Sequence, residues 1–211
     1  MTFKALAGAI IAVASLFLSV AGAGAQTISV VGFGDSLMAG YELPPEEAFP
    51  AQLEKLLKDK GHDIAVTNAG VSGDTTADGL ARIDWSIPDG TQGVILEFGA
   101  NDALRGLSPK ESRDNLEAMI ARLKERKIPV LLVGILAPPN MGGDYETQFN
   151  AIYPDLAKKY GLPLYPFFLD GVVLQANLQL DDGMHPNGDG TRIMAEKFLS
   201  IAETFVKMIK M

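Results

Sequence analysis

No cysteine occurs in the 211 residues, and histidine occurs only twice, at His62 and His185. The first absence excludes disulfides, thiolate metal sites and a cysteine nucleophile together. The second leaves little imidazole for a metal site or for proton transfer. Positive charge is also scarce: 18 Lys and Arg stand against 26 Asp and Glu, a formal net charge of −8. A surface of that sign argues against nucleic acid and anionic membrane as partners. Neither a P-loop nor a dinucleotide-binding glycine pattern is present, and no repeat or low-complexity linker interrupts the chain after Gln26.

The longest apolar stretch lies at the start. Lys4 precedes an Ala-rich run, Ala5–Val20, and the small residues "AGAGA" follow, with Ala23 and Ala25 placed for cleavage before Gln26. This is the pattern of a signal peptide over residues 1–25, and it predicts a periplasmic or secreted protein. The competing reading is an uncleaved amino-terminal anchor, because the stretch is nearly long enough to span a bilayer. The small-residue exit favours cleavage, after which no stable membrane insertion is expected. Residues 26–211 then form one domain of 186 residues, and the loss of Lys4 leaves 17 Lys and Arg against 26 acids, net −9. That length supports a full hydrophobic core.

Short apolar runs rich in β-branched residues alternate with longer amphipathic stretches. The runs are Ile28–Phe33, Ile64–Asn68, Gly93–Phe98, Pro129–Ile135 and Leu162–Phe167. Helices are predicted over Phe49–Lys60, Thr76–Ile83, Pro109–Lys127, Asp144–Tyr160 and Thr191 to about Lys210. Apolar runs separated by helices indicate a parallel sheet covered on both faces, hence a three-layer, doubly wound α/β domain. Ligands in such folds bind beyond the carboxyl ends of the strands. The polar, glycine-rich segments "GDS", "NAGVSGDT", "GAND" and "DDGMHPN" follow the first, second, third and fifth runs.

Within the first of these, Ser36 follows a strand in a glycine-framed turn. Capping of the next helix by Asp35 or Ser36 would explain the pair without any chemistry. A nucleophilic serine needs a base, itself oriented by a third group. His62 falls between a helix end and a strand start, at the opposite edge of the sheet, and reads as a solvated loop residue or a helix C-terminal charge. His185 falls on the same edge as Ser36 and becomes the candidate base by elimination. Asp182, three residues before it with Gly183 between, can return its carboxylate through a tight turn; Asp181 is the rival. One histidine beside two carboxylates makes a poor metal-ligand set, so no metal or cofactor is expected. Candidate oxyanion donors are the Ser36 N–H at a helix start, the Gly73 N–H and the Asn101 amide, although Gly73 and Asn101 also suit simple turns.

Across its whole length after Gln26 the chain resembles the SGNH (GDSL) hydrolases, through "GDSLMAGY", "NAGVSGDTT", "LEFGANDALRG", "NAIYPDLAKKYGLPLYPFF" and "DDGMHPNGDG". It is most similar to their bacterial acyl-CoA thioesterase I / arylesterase / lysophospholipase group. The resemblance implies a flavodoxin-like five-stranded sheet of order 2-1-3-4-5. It implies Ser36 as nucleophile, Gly73 and Asn101 completing the oxyanion hole, and Asp182 and His185 completing the triad. The substrates implied are small-molecule or lipid esters and thioesters. Ala100 departs from the pattern, because that group commonly carries a second glycine before the asparagine. Leu104, Leu107, Met141, Tyr145 and Phe149 are expected to wall an apolar acyl site, with membership of the hydrophobic core as the equal alternative. A carbohydrate esterase is the alternative within the fold. A phosphate-binding module without enzymatic activity is the alternative outside it, and it leaves Asn101 and His185 without a role.

Overall fold

Six of the seven residues of β1 (Ile28–Gly34) are buried, with only Ser29 partly exposed. A strand without polar alternation must be covered on both faces, and β1 lies second in the sheet. The computed structural model describes residues 27–210; the expected signal segment, residues 1–25, lies outside the described residues. β1 pairs in parallel with β2 (Ile64–Gly70) and β3 (Gly93–Glu97), followed by β4 (Val130–Val133) and β5 (Leu164–Tyr165). The order is β2-β1-β3-β4-β5, the predicted doubly wound sheet. The register sets Gly34 opposite Gly70 and Phe33 opposite Leu96, so the chain leaves β1, β2 and β3 side by side at one edge.

The helices are α1 (Ser36–Ala39), α2 (Phe49–Asp59), α3 (Thr76–Ser86), α4 (Ala100–Leu104), α5 (Pro109–Glu125), α6 (Gly143–Asn150), α7 (Ile152–Tyr160) and α8 (Gly188–Ile209). α2 packs on α8 as one outer layer, while α3, α5 and α7 form the other. Aromatic edges lock the α2/α8 layer, with the Phe49 ring 4.7 Å from Phe168 and 5.3 Å from Phe198. Among the described residues no helix is long and apolar enough to cross a membrane.

The structure departs from the expected elements in identifiable places. The helix predicted over Asp144–Tyr160 is two, α6 and α7, broken at Ala151. Pro154 cannot donate to the Asn150 carbonyl four residues back, and its ring would clash with that group. The Asn150 side chain instead accepts the Ala137 N–H at 2.8 Å, tying the break to the segment after β4. β5 keeps only two of the six residues expected. α8 starts at Gly188 rather than Thr191, because Asn187 caps it by accepting the Gly190 N–H at 3.0 Å. His62 is not a solvated loop residue: its side chain is largely buried, with Nε2 3.5 Å from a Glu203 carboxylate oxygen on α8. It joins the end of α2 to α8, away from the polar edge.

Candidate active site

The end of β1 is shaped by a close approach. A Cβ on Gly34 would lie 2.3 Å from Glu97 Oε2, so only glycine fits between the first strand and that carboxyl. Asp35 follows as the N-cap of α1, accepting the Leu37 N–H at 3.0 Å. Ser36 is the first residue of the helix, so its N–H has no intrahelical acceptor. The capping role of the pair and a hydroxyl facing the cavity are therefore compatible, because each falls to a different residue.

On the opposite side of Ser36, the turn through Gly183 folds Asp182 back onto His185. Asp182 Oδ1 accepts the N–H groups of Met184 and His185, at 2.8 and 2.9 Å. Its Oδ2 lies 2.6 Å from His185 Nδ1, and His185 Nε2 lies 2.9 Å from Ser36 Oγ. The Tyr41 ring lies against the imidazole, centroids 4.4 Å apart. Asp181, the neighbouring acid, makes no hydrogen bond to His185 among the described residues. Partial burial pushes the Asp182 carboxyl up, but hydrogen bonds from the His185 ring and from two backbone N–H groups outweigh it, holding the group at about 2.

Two further segments converge on the serine. Gly73, after β2, has φ +88°, a left-handed conformation that suits glycine. Its carbonyl accepts Arg105 Nη2 at 2.8 Å. Asn101, in the first turn of α4, donates Nδ2 to the Asp74 carbonyl at 2.9 Å and to Asp35 Oδ2 at a long 3.3 Å. An incoming anionic oxygen would compete for the weaker of those two bonds. Ala100, beside it, lines the same cavity.

Beneath the turn lies a set of buried ionisable side chains. The Asp35 N–H donates to Glu97 Oε2 at 3.2 Å, and Glu97 Oε1 is buried with no hydrogen-bond partner among the described residues. Burial drives the Glu97 carboxyl well above its ordinary range, and the neighbouring Asp35 adds to the rise. Burial also pushes Asp35 up to about 7, against the hydrogen bonds from Leu37 and Asn101. Arg82, on α3, donates to Asp74 Oδ2 at 2.6 Å, to the Ala69 carbonyl at 2.9 Å and to the Gly34 carbonyl at 2.9 Å. Its guanidinium lies 4.4 Å from the centre of the Phe33 ring. It thereby ties the end of β1 to the segment carrying Gly73. Sequence reasoning missed both Glu97 and Arg82. The available signal was an acid inside the apolar run "GVILEF".

Ser36, Gly73, Asn101 and His185 open onto a cavity of about 790 Å³. Its apolar wall comes from Leu104 and from the segments after β4 and β5, including Leu136, Pro138, Phe167 and Leu169. Of the five expected wall residues, only Leu104 lines it. Phe149 is fully buried in the core, Tyr145 packs against it with ring centres 5.8 Å apart, and the Tyr145 hydroxyl donates to the Leu107 carbonyl at 2.9 Å. Met141 sits near Gly106. α6 turns its aromatic face to the core and offers Glu146 and Asn150 to the cavity, so Leu107, Met141, Tyr145 and Phe149 do not form its wall. The cavity can hold an apolar chain, with its reactive end against a serine, an imidazole and several N–H donors.

The chain is similar to known proteins along most of its length. An arylesterase of Vibrio mimicus is 38% identical over 193 residues, 91% of this chain and 95% of that protein. Thioesterase 1/protease 1/lysophospholipase L1 of Escherichia coli strain K12 is 38% identical over 183 residues, 86% of this chain and 85% of that protein. The crystal structure of AlinE4, an SGNH-hydrolase family esterase, superposes with a TM-score of 0.72 at 44% identity, covering 85% of this chain and 96% of that one. Residues 33–193 match the GDSL-like Lipase/Acylhydrolase family, from the end of β1 into α8. With the family match spanning most of the chain and these relatives covered nearly end to end, this chain belongs to the GDSL-like lipase/acylhydrolase family.

Proposed function

We propose that the protein is an exported serine hydrolase that cleaves acyl and aryl esters through an acyl-enzyme on Ser36. The family makes ester hydrolysis the activity. The observation carrying the residue assignment is the unbroken chain from Ser36 Oγ through His185 to Asp182, at 2.9 and 2.6 Å. In this reading Oγ attacks the acyl carbonyl as His185 Nε2 takes its proton, and Asp182 holds Nδ1–H and stabilises the imidazolium. The carbonyl oxygen becomes an anion facing the Ser36 N–H, the Gly73 N–H and the Asn101 amide. Collapse breaks the bond to the leaving alcohol or thiol, which receives the proton from His185. Water, deprotonated by the same imidazole, then attacks the acyl-enzyme and restores the Ser36 hydroxyl.

The apolar cavity wall and the net charge of −9 over residues 26–211, 17 Lys and Arg against 26 acids, favour uncharged acyl chains over polyanionic acyl thioesters such as acyl-CoA. Arg105 is the cation nearest Gly73, and it is engaged with that residue's carbonyl. Export follows the amino-terminal pattern of residues 1–25. Ser36→Ala removes turnover of p-nitrophenyl esters and labelling by a fluorophosphonate, whereas Ser72→Ala retains both. Loss of labelling in Ser72→Ala alone would move the nucleophile to the loop after β2.

A further inference from the structure

Ten large apolar side chains are exposed among the described residues, and six of them gather at one place. Among the described residues, Tyr41, Leu104, Leu136, Val173, Leu174 and Met184 are all exposed, and all stand around the opening of the Ser36 cavity. They come from four separate segments, after β1, in α4, after β4 and after β5, so the ring is a product of the fold and of no single sequence run. Leu174 is the extreme case: it is 88% exposed and holds a left-handed φ of 63°. A bulky residue rarely adopts that conformation, and such strain persists where the surroundings impose it. Here they do. Val172 is fully buried, the Val173 N–H bonds the Leu169 carbonyl at 3.0 Å and the Gln175 N–H bonds the Val172 carbonyl at 3.1 Å, so the loop is anchored beneath and its tip is pushed outward.

We infer that this rim is a seat for an aggregated lipid surface of zero net charge, from which ester substrate passes directly into the cavity. Contiguous exposed apolar patches mark interaction sites, and this one encircles an entrance. A second copy of the chain seated there would seal Ser36 from substrate, whereas a lipid surface supplies it. The carboxylates beside the rim choose the kind of surface. Glu42 follows Tyr41, and Asp181 and Asp182 precede Met184; with the overall net charge of −8 they repel an anionic bilayer. Zwitterionic phosphatidylcholine or its lysolipid is therefore the surface that fits. The inference rests on the ester-hydrolase reading above, since it concerns how that site meets its substrate.

The chain contains one tryptophan, Trp85, on α3 and not among the cavity-lining residues, which supplies an internal reference. Full-length protein is mixed with phosphatidylcholine vesicles carrying bromine-substituted acyl chains. The indole introduced by Leu174→Trp in a Trp85→Phe background should shift to the blue and be quenched, while Trp85 of the parent chain does neither. The Ala5–Val20 stretch is common to both proteins and cannot create a difference between positions 174 and 85. Leu174→Asp should weaken vesicle co-sedimentation about tenfold, the scale of one exposed leucine. Equal quenching at both positions, or at neither, overturns the inference. So does a blue shift that grows with protein concentration in the absence of lipid, which assigns the rim to a second copy. Fluorophosphonate labelling of the same samples separates the two readings. Labelling without insertion defeats only the lipid seat, and insertion without labelling defeats only the Ser36 assignment.

Discussion

Asp182 and Glu97 are both acids close to one serine turn, yet the first stands at the open lip with its side chain 38% exposed and the second is wholly enclosed. At the lip, the carboxylate accepts two backbone N–H groups and faces an imidazole, which keeps it ionised down to about pH 2. Beneath the turn, Glu97 faces another acid and has one oxygen without a hydrogen-bond partner among the described residues, and burial drives its carboxyl well above the ordinary range, favouring the protonated form. The lip thus carries a charge that can stabilise an imidazolium, while on the buried side a carboxyl whose protonated form burial favours accepts the Asp35 N–H. In the proposed mechanism, chemistry and positioning are divided between the two sides of Ser36, and substitutions on each side should fail in different ways.

The largest expected effect is at the lip. Asp182→Asn should leave His185 in an unsuitable tautomer and lower kcat by up to about 10⁴-fold, with Asp181→Asn costing only a few-fold. Reversed severities in steady-state kinetics would transfer the acid to Asp181. The stability effect should be small, because the group is partly solvated and its interactions are screened. Its sign is fixed: a folded pKa below the ordinary 3.8 stabilises the fold above that pH, and the gain disappears as pH falls towards about 2.

On the buried side, Arg82→Met should act on folding first. It removes donors from Gly34, Ala69 and Asp74 and strands the Asp74 carboxylate, a change on the scale of about 3–5 kcal/mol. Differential scanning calorimetry should show a fall in Tm of roughly 6–20 °C for a domain of this size. Adding Asp74→Asn should restore part of it, since the stranded charge is then gone. A variant with normal Tm but slow turnover would make Arg82 a positioning residue with no structural debt.

Asn101 lies where the two sides meet, bonded to buried Asp35 and facing the cavity. Asn101→Ala should cost roughly 10²–10³ in kcat with a smaller change in KM, the mark of an interaction strengthened in the transition state. A defect confined to KM would return it to the role of a turn residue holding the Asp74 carbonyl.

The parallel sheet was legible because the strands read as apolar runs and all but the fourth are followed by a segment that turns polar at one edge. The partners of Ser36 were legible because only two histidines exist and one lies at the wrong edge. The cavity wall was not legible. Tyr145 and Phe149 have the spacing of an apolar helix face, and spacing cannot say whether that face meets core or cavity. The residues that do form the wall, such as Leu136, Phe167 and Leu169, sit in irregular segments after β4 and β5, where no period marks them. Pro154 did carry the signal for the break between α6 and α7, since an interior proline removes a helical donor. Arg82 and Glu97 were concealed for another reason: their roles depend on carbonyls and N–H groups brought together only by the sheet register.

The smallest expected effect is also the sharpest comparison with the lip. Glu97→Gln keeps an oxygen that can accept the Asp35 N–H and removes the ionisable proton. Because the folded pKa of Glu97 is raised, the folded state binds a proton that the unfolded chain releases above about pH 4.5, so wild-type stability falls as pH rises through that range. The Gln variant escapes this fall. Below about pH 4 the two proteins should melt together, and at pH 7 to 8 the variant should be the more stable, by a few degrees for each kcal/mol of relief. Asp182→Asn should also match wild type at low pH but be the less stable of the two at neutral pH, so the two acids give slopes of opposite sign. Melting curves from pH 3 to 8 test this directly. If Glu97→Gln lost stability as pH rose, the buried carboxyl would be ionised in the folded protein, and the contrast between the two sides of Ser36 would collapse.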